Sequence, residues 1–167
     1  MPFIKTVDRL SEWTGSLSAW LIIPLILVVL YEVTMRYFFN SPTVWVYDVS
    51  WMIFAAQFLL GGAFTYLRKG HIRIDIVYGT LSERAKRIYD FLINLIIIVP
   101  PMVLFGWAGV IFSAKAYSID ERLSTGTWPF PTGPPKMLIP IGFFLLALQS
   151  LAEIVRICQK PKRGGKP

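Results

Sequence analysis

The chain is 167 residues long, 54% hydrophobic and 16% charged, with a formal net charge of +7. A soluble domain carries about 25% charged residues, so this composition excludes an ordinary water-soluble fold. One histidine and one cysteine exclude a bis-histidine haem, a multi-histidine metal site and an internal disulfide.

Residues 13–31, 49–67, 91–114 and 137–152 carry no charged side chain. The first three runs meet the roughly 18-residue length of a bilayer-spanning helix, and the fourth extends through Glu153 and Arg156 to Cys158. The expected fold is an all-α integral membrane protein with four transmembrane helices over about 14–37, 42–67, 88–113 and 136–158. Residues 1–158 would form one membrane domain and 159–167 a basic tail.

Residues 1–12 read as a short interfacial helix, because Phe3, Ile4, Val7 and Leu10 recur at helical spacing among charged neighbours. Trp13 is placed at the interface. The apolar run is too long for a signal peptide and no small-residue cleavage site follows it, so an uncleaved first span is expected. Pro24 is expected to bend that span. Ser41-Pro42 fits an N-cap and first helical position, which would start span two at Pro42. Ala55, Ala56, Gly61, Gly62 and Ala63 lie in its second half. Small residues let helices approach closely in lipid, so this surface is expected to make the densest helix contact.

The following loop, 68–79, alternates Ile72, Ile74 and Ile76 with Arg73 and Asp75. Thr80-Leu-Ser-Glu83 matches a capping box that would start the third helix. Pro100-Pro101 is expected to kink that span. Residues 115–136 form a long Gly- and Pro-rich loop whose end, 127–135, is expected to be irregular, with Trp128 and Phe130 at the interface.

The cations are unevenly divided. Thirteen fall on one side: Lys5 and Arg9, six between spans two and three, and five from Arg156 onward. Arg36, Lys115, Arg122 and Lys136 make four on the other. Enrichment of Lys and Arg on the cytoplasmic side puts both termini inside, which needs an even number of spans and agrees with four. The net charge is thus explained by orientation, and no nucleic-acid partner is expected.

Ionisable residues at membrane depth are functional candidates by default. Glu32 and Arg36 share a helix face, and Asp48 lies across the hairpin. They could form an ion or proton path, or an ion-paired cluster that fixes the hairpin or meets a partner; their place near span ends favours the second. Gln57 reads as an interhelical hydrogen bond, His71 as a loop histidine, Glu153 with Arg156 as a local pair, and Asn94 with Asp90 as a polar contact to a neighbouring helix. There is no phosphate-binding loop and no serine–histidine–aspartate arrangement, so no enzyme activity is expected.

Several landmarks together resemble the small membrane subunit of tripartite ATP-independent periplasmic (TRAP) transporters, the DctQ-like family. They are Tyr31-Glu32-Val-Thr-Met-Arg36-Tyr37-Phe-Phe-Asn40-Ser41-Pro42, then Trp45 and Asp48, Gly70-His71-Ile72-Arg73-Ile74-Asp75, and Ile139-Pro140-Ile-Gly142-Phe with Gln149 and Glu153. Where the family often has Glu, this chain has Asp48.

The resemblance implies a scaffold subunit of a sodium-coupled importer of organic acids in a bacterial or archaeal inner membrane. Its implied partners are a large DctM-like membrane subunit, a periplasmic substrate-binding protein and membrane lipids. Sodium ions would bind the large subunit; no cofactor is expected here. Interface candidates are Glu32, Arg36, Tyr37, Trp45, Asp48, Gly61, Gly62, His71 and Asp75. The competing reading is a self-contained four-helix ion or proton channel or carrier using Glu32, Arg36 and Asp48.

Overall fold

The computed structural model describes residues 2–68, 82–123 and 129–159. Among them are six α-helices, one π-helical segment and a single antiparallel bridge between Arg122 and Pro131. Among the described residues four helical rods are long and apolar enough to cross a membrane: Pro2–Tyr37, Val46–Leu67, Arg84–Ser118 and Gly133–Gln159.

The first rod contains α1 (Pro2–Trp20) and α2 (Ile22–Tyr37), interrupted at Leu21. Pro24 has no N–H to offer the Trp20 carbonyl four residues back, and the regular ladder ends there. The neighbouring bonds survive: the Leu21 N–H donates to Leu17 at 3.1 Å and the Leu25 N–H to Leu21 at 3.3 Å.

Residues 2–12 are not a separate helix. They are the first turns of α1, with no break near Trp13. Of the expected apolar stripe, Val7 packs into the bundle and Phe3 and Leu10 face outward. The buried face of α1 is Val7, Ser11, Thr14, Gly15 and Ser18. It is a small, polar face because close approach and interhelical hydrogen bonds, not apolarity, reward helix contact in lipid.

α3 (Val46–Leu67) begins four residues later than Pro42. The reason is Glu32, whose carboxylate takes both the N–H and the hydroxyl of Thr43 and holds the segment across the end of α2. Asn40 makes the reversal in the left-handed region, φ 49°.

α4 (Glu83–Leu92) is capped by Ser82, whose Oγ accepts from the Ala85 N–H at 3.3 Å. The cap is thus Ser82 in place of the expected Thr80, which lies outside the described residues. A π-helical segment, Ile93–Ile98, leads into α5 (Val99–Ser118). Pro100 and Pro101 occupy the first turn of α5, where a missing N–H is tolerated. Just before them the ladder widens into the π turn, in which the Val99 N–H reaches back to the Asn94 carbonyl.

α5 continues to Ser118, and α6 (Gly133–Gln159) starts at Gly133. The connection is therefore shorter than the 115–136 loop foreseen, and Pro134 and Pro135 belong to a helical first turn. Its described parts form a clasp: the Leu123 N–H donates to Phe130 at 3.0 Å and the Thr132 N–H to Glu121 at 2.9 Å. Lys136 Nζ reaches Glu121 at 2.6 Å and lies 4.1 Å from the Phe112 ring centroid.

The most extensive contact is α5 with α6, ahead of the contacts of α3. Gly106 faces Phe144, and Gly109 faces Ile139 and Pro140. Small residues thus mark the seams as expected, but the main seam is elsewhere. On α3, Gly61 meets Ser18 and Ala63 is fully buried. Gly62 points into open space, with nothing within 4 Å of a Cβ placed there.

Candidate partner interface

At one end of the bundle the hairpin residues converge. Arg36 Nε and Nη2 donate to Glu32 Oε1 at 2.9 and 2.5 Å, and Glu32 Oε2 receives Thr43. Tyr31 and Trp45 stack at a 5.8 Å centroid separation, tilted by 32°. Asp48 is buried in the first turn of α3, where a negative charge suits the helix dipole. Every oxygen of Glu32 therefore has a donor, and Glu32 with Arg36 forms a latch across the loop between α2 and α3. Such a group is satisfied in place, which is poor chemistry for a carrier that must load and release an ion.

The outer surface of this end is bare. α2 buries none of its residues. Tyr37, Phe38 and Phe39 are 78%, 83% and 67% exposed. Along α3, Tyr47, Trp51, Phe54 and Phe58 form an exposed row at helical spacing.

The other end holds a buried polar cluster that local sequence patterns do not assemble. Gln149 and Ser150 on α6 are both fully buried. Ser11 Oγ donates to Gln149 Oε1 at 2.7 Å, and Gln149 Nε2 donates to Asp8 at 3.1 Å. Arg156 Nη2 binds both Asp8 oxygens, at 2.9 and 2.7 Å, and its Nη1 pairs with Glu153.

Ser150 Oγ donates to Asn94 Oδ1 at 2.7 Å, and the Tyr66 hydroxyl donates to the same oxygen. Asn94 Nδ2 returns to the Asp90 carbonyl at 2.7 Å. Two adjacent residues of α6 thus tie α1, α3 and the π segment together. The Asp8–Arg156 pair also puts the Pro2 end of α1 and the Gln159 end of α6 at the same end of the bundle.

Glu153 with Arg156 is the expected local pair, enlarged by Asp8. Asn94 makes the expected contact to a neighbouring helix. Gln57 joins helices through its backbone carbonyl, which accepts from Ser18 Oγ at 2.8 Å. Ser11, among the charged residues before the first run, and Ser150, inside the fourth, escape a sequence reading because a lone serine gives no periodic signal. Gln149, a polar side chain inside an uncharged run, was the available clue. His71, Asp75 and Trp128 lie outside the described residues. Among the described residues no cluster of His, Cys, Asp and Glu could hold a metal ion.

These features define a class: a helical membrane protein with four rods of spanning length whose buried polar groups hold its own helices together. The chain belongs to the DctQ family. The family model described as "Tripartite ATP-independent periplasmic transporters, DctQ component" matches residues 25–160. The family is one of transporter components, and among the described residues the chain has four helical rods long and apolar enough to cross a membrane.

Two curated relatives are similar to it. The sialic acid TRAP transporter permease protein SiaT of Haemophilus influenzae is 20% identical over 70% of this chain and 18% of its own length. The C4-dicarboxylate TRAP transporter small permease protein DctQ of Vibrio cholerae is 28% identical over 49% of this chain and 37% of its own length. The chain thus matches only a minor part of each relative.

Proposed function

We propose that the chain is the small scaffold subunit of a sodium-coupled TRAP importer of organic acids. In this reading it packs against a large transport subunit and helps to dock a periplasmic binding protein. Family membership implies a large permease and a binding protein as partners. The aromatic-rich hairpin at the Glu32 end would face the periplasm, and both termini the cytoplasm, in keeping with the cation count. Sodium and substrate would be handled by the large subunit.

One observation carries the reading: the described bundle forms its ion pairs at its two ends, while α2 has no fully buried residue and turns most of its apolar side chains outward. A conducting or carrying chain needs an ionisable or coordinating group facing a path through the middle. A scaffold needs a rigid bundle with apolar area to spare. The relative in which the matching segment is 18% of a longer permease also fits a segment that works beside a larger body.

The test is co-purification and uptake. The chain is expected to recover a larger membrane subunit in mild detergent, and uptake of an organic acid by the reconstituted system is expected to be lost without it. Uptake that persists without this chain, or ion flux from the chain alone that Glu32→Gln abolishes, would overturn the proposal.

A further inference from the structure

The helix α4 turns an apolar row outward. Arg84, Ile88 and Leu92 follow at four-residue steps on one face, and all three are exposed. Ile88 is 61% exposed, and the row continues into the π segment through the exposed Leu95 and Ile96. The opposite side of α4 is occupied. Lys86, Arg87, Tyr89 and Asp90 are half-buried and engaged. One turn on, Asn94 is held by Tyr66 and Ser150.

The π turn matters to this orientation. A π turn adds a residue to the helix, which shifts the faces of α4 by about 100° relative to α5 compared with an unbroken α-helix. The Asn94 bonds pin that register, so the outward direction of Arg84, Ile88 and Leu92 is built into the fold.

A guanidinium at the polar end of a row of apolar side chains has the same layout as an anionic amphiphile, with a charged head above a hydrocarbon tail. Cations next to a membrane span attract anionic headgroups, and Arg pairs with phosphate through two parallel hydrogen bonds. We propose that this face of α4 binds an anionic phospholipid, its phosphate on Arg84 and an acyl chain along Ile88, Leu92 and Ile96. The site rests on residence of the chain in a bilayer and does not depend on its role as a subunit.

Native mass spectrometry of the full chain in mild detergent tests this, with dioleoyl phosphatidylglycerol or dioleoyl phosphatidylcholine added. Phosphatidylglycerol adducts are expected to be retained in preference to phosphatidylcholine. Arg84→Gln is expected to lower phosphatidylglycerol occupancy about five-fold and leave phosphatidylcholine unchanged. Arg84→Lys should retain part of the preference, and Ile88→Asn should weaken both lipids by interrupting the apolar row.

Lys115→Gln, an exposed cation at the far end of α5, is the control and should change neither. Equal retention of the two lipids by the unmodified chain would overturn the site. So would a loss in Lys115→Gln as large as that in Arg84→Gln. If the Arg84 and Ile88 substitutions leave lipid occupancy intact but prevent recovery of a larger membrane protein, the face belongs to that protein and the proposal fails.

Discussion

The two halves of the first rod behave oppositely. α1 mixes charged, polar and apolar residues, yet it buries Val7, Ser11, Thr14, Gly15 and Ser18. α2 is almost wholly apolar between Ile22 and Tyr31, yet has no fully buried residue. In water the order would be reversed, because burial there follows apolar area. In a bilayer the lipid tails satisfy α2 as well as another helix would. What draws α1 inward is the close approach that Gly15 allows to Phe64, and the hydrogen bonds of Ser11 and Ser18 to α6 and α3. The lesson is that the greasier half of this rod is the half left available to something outside the chain.

Substitutions can break this comparison, beginning with the largest expected effect. Gly15→Leu places a side chain into the Phe64 ring, and overpacking of this kind costs about 3 kcal/mol. Thermal unfolding of the isolated chain in detergent should show a clearly lowered midpoint. Gly62→Leu makes the same chemical change where nothing lies within 4 Å, and should leave that midpoint unchanged. Equal effects of the two would mean that the α1–α3 seam is not what holds the first rod.

Gln149→Leu is expected to rank next. It keeps most of the volume but strips Ser11 and Asp8 of a partner, at a cost of about 1–2 kcal/mol. Denaturation in mixed detergent would measure it, and the double variant with Ser11→Ala should cost little more than Gln149→Leu alone. Full additivity would show that the two side chains do not depend on each other.

Thr43→Val removes a hydroxyl donor from Glu32 and should lower stability by about 1 kcal/mol, read in the same denaturation assay. Its larger consequence should be local: faster proteolysis of the loop between α2 and α3. A global loss as large as that of Gly15→Leu would contradict a latch confined to the hairpin.

Leu27→Ala should have the smallest effect on the isolated chain, within about 0.5 kcal/mol, because Leu27 is 61% exposed. Recovery of a partner subunit in a pull-down should nevertheless fall, since α2 is the surface proposed for it. A Leu27→Ala chain that unfolds readily alone would show the Leu27 face of α2 to be packed after all.

Much of the fold is legible in the order of residues. Four uncharged runs mark the spans, Pro24 marks the break in the first rod, and the Glu32–Arg36 spacing marks an ion pair. Element ends are less legible. Pro42 looks like a helix start, but Thr43 is held by Glu32, eleven positions away, and no local pattern carries that. Pro100-Pro101 marks an irregularity, but the π turn it follows, Ile93–Ile98, has no signature in the local sequence. The buried cluster is invisible for the same reason, as Ser11 and Gln149 are 138 residues apart in the chain.

By itself the sequence determined that the chain carries four runs long and apolar enough to cross a membrane, and which family pattern it carries. Those follow from the length of uncharged runs and from local motifs, and neither requires knowing which residues meet. The tertiary structure decided which face of each helix turns inward. Hydropathy cannot decide that in lipid, because apolar side chains are equally satisfied on either side. Only the pairing of glycines with bulky neighbours and of distant polar groups with one another sets the direction, and that pairing exists only in the assembled bundle.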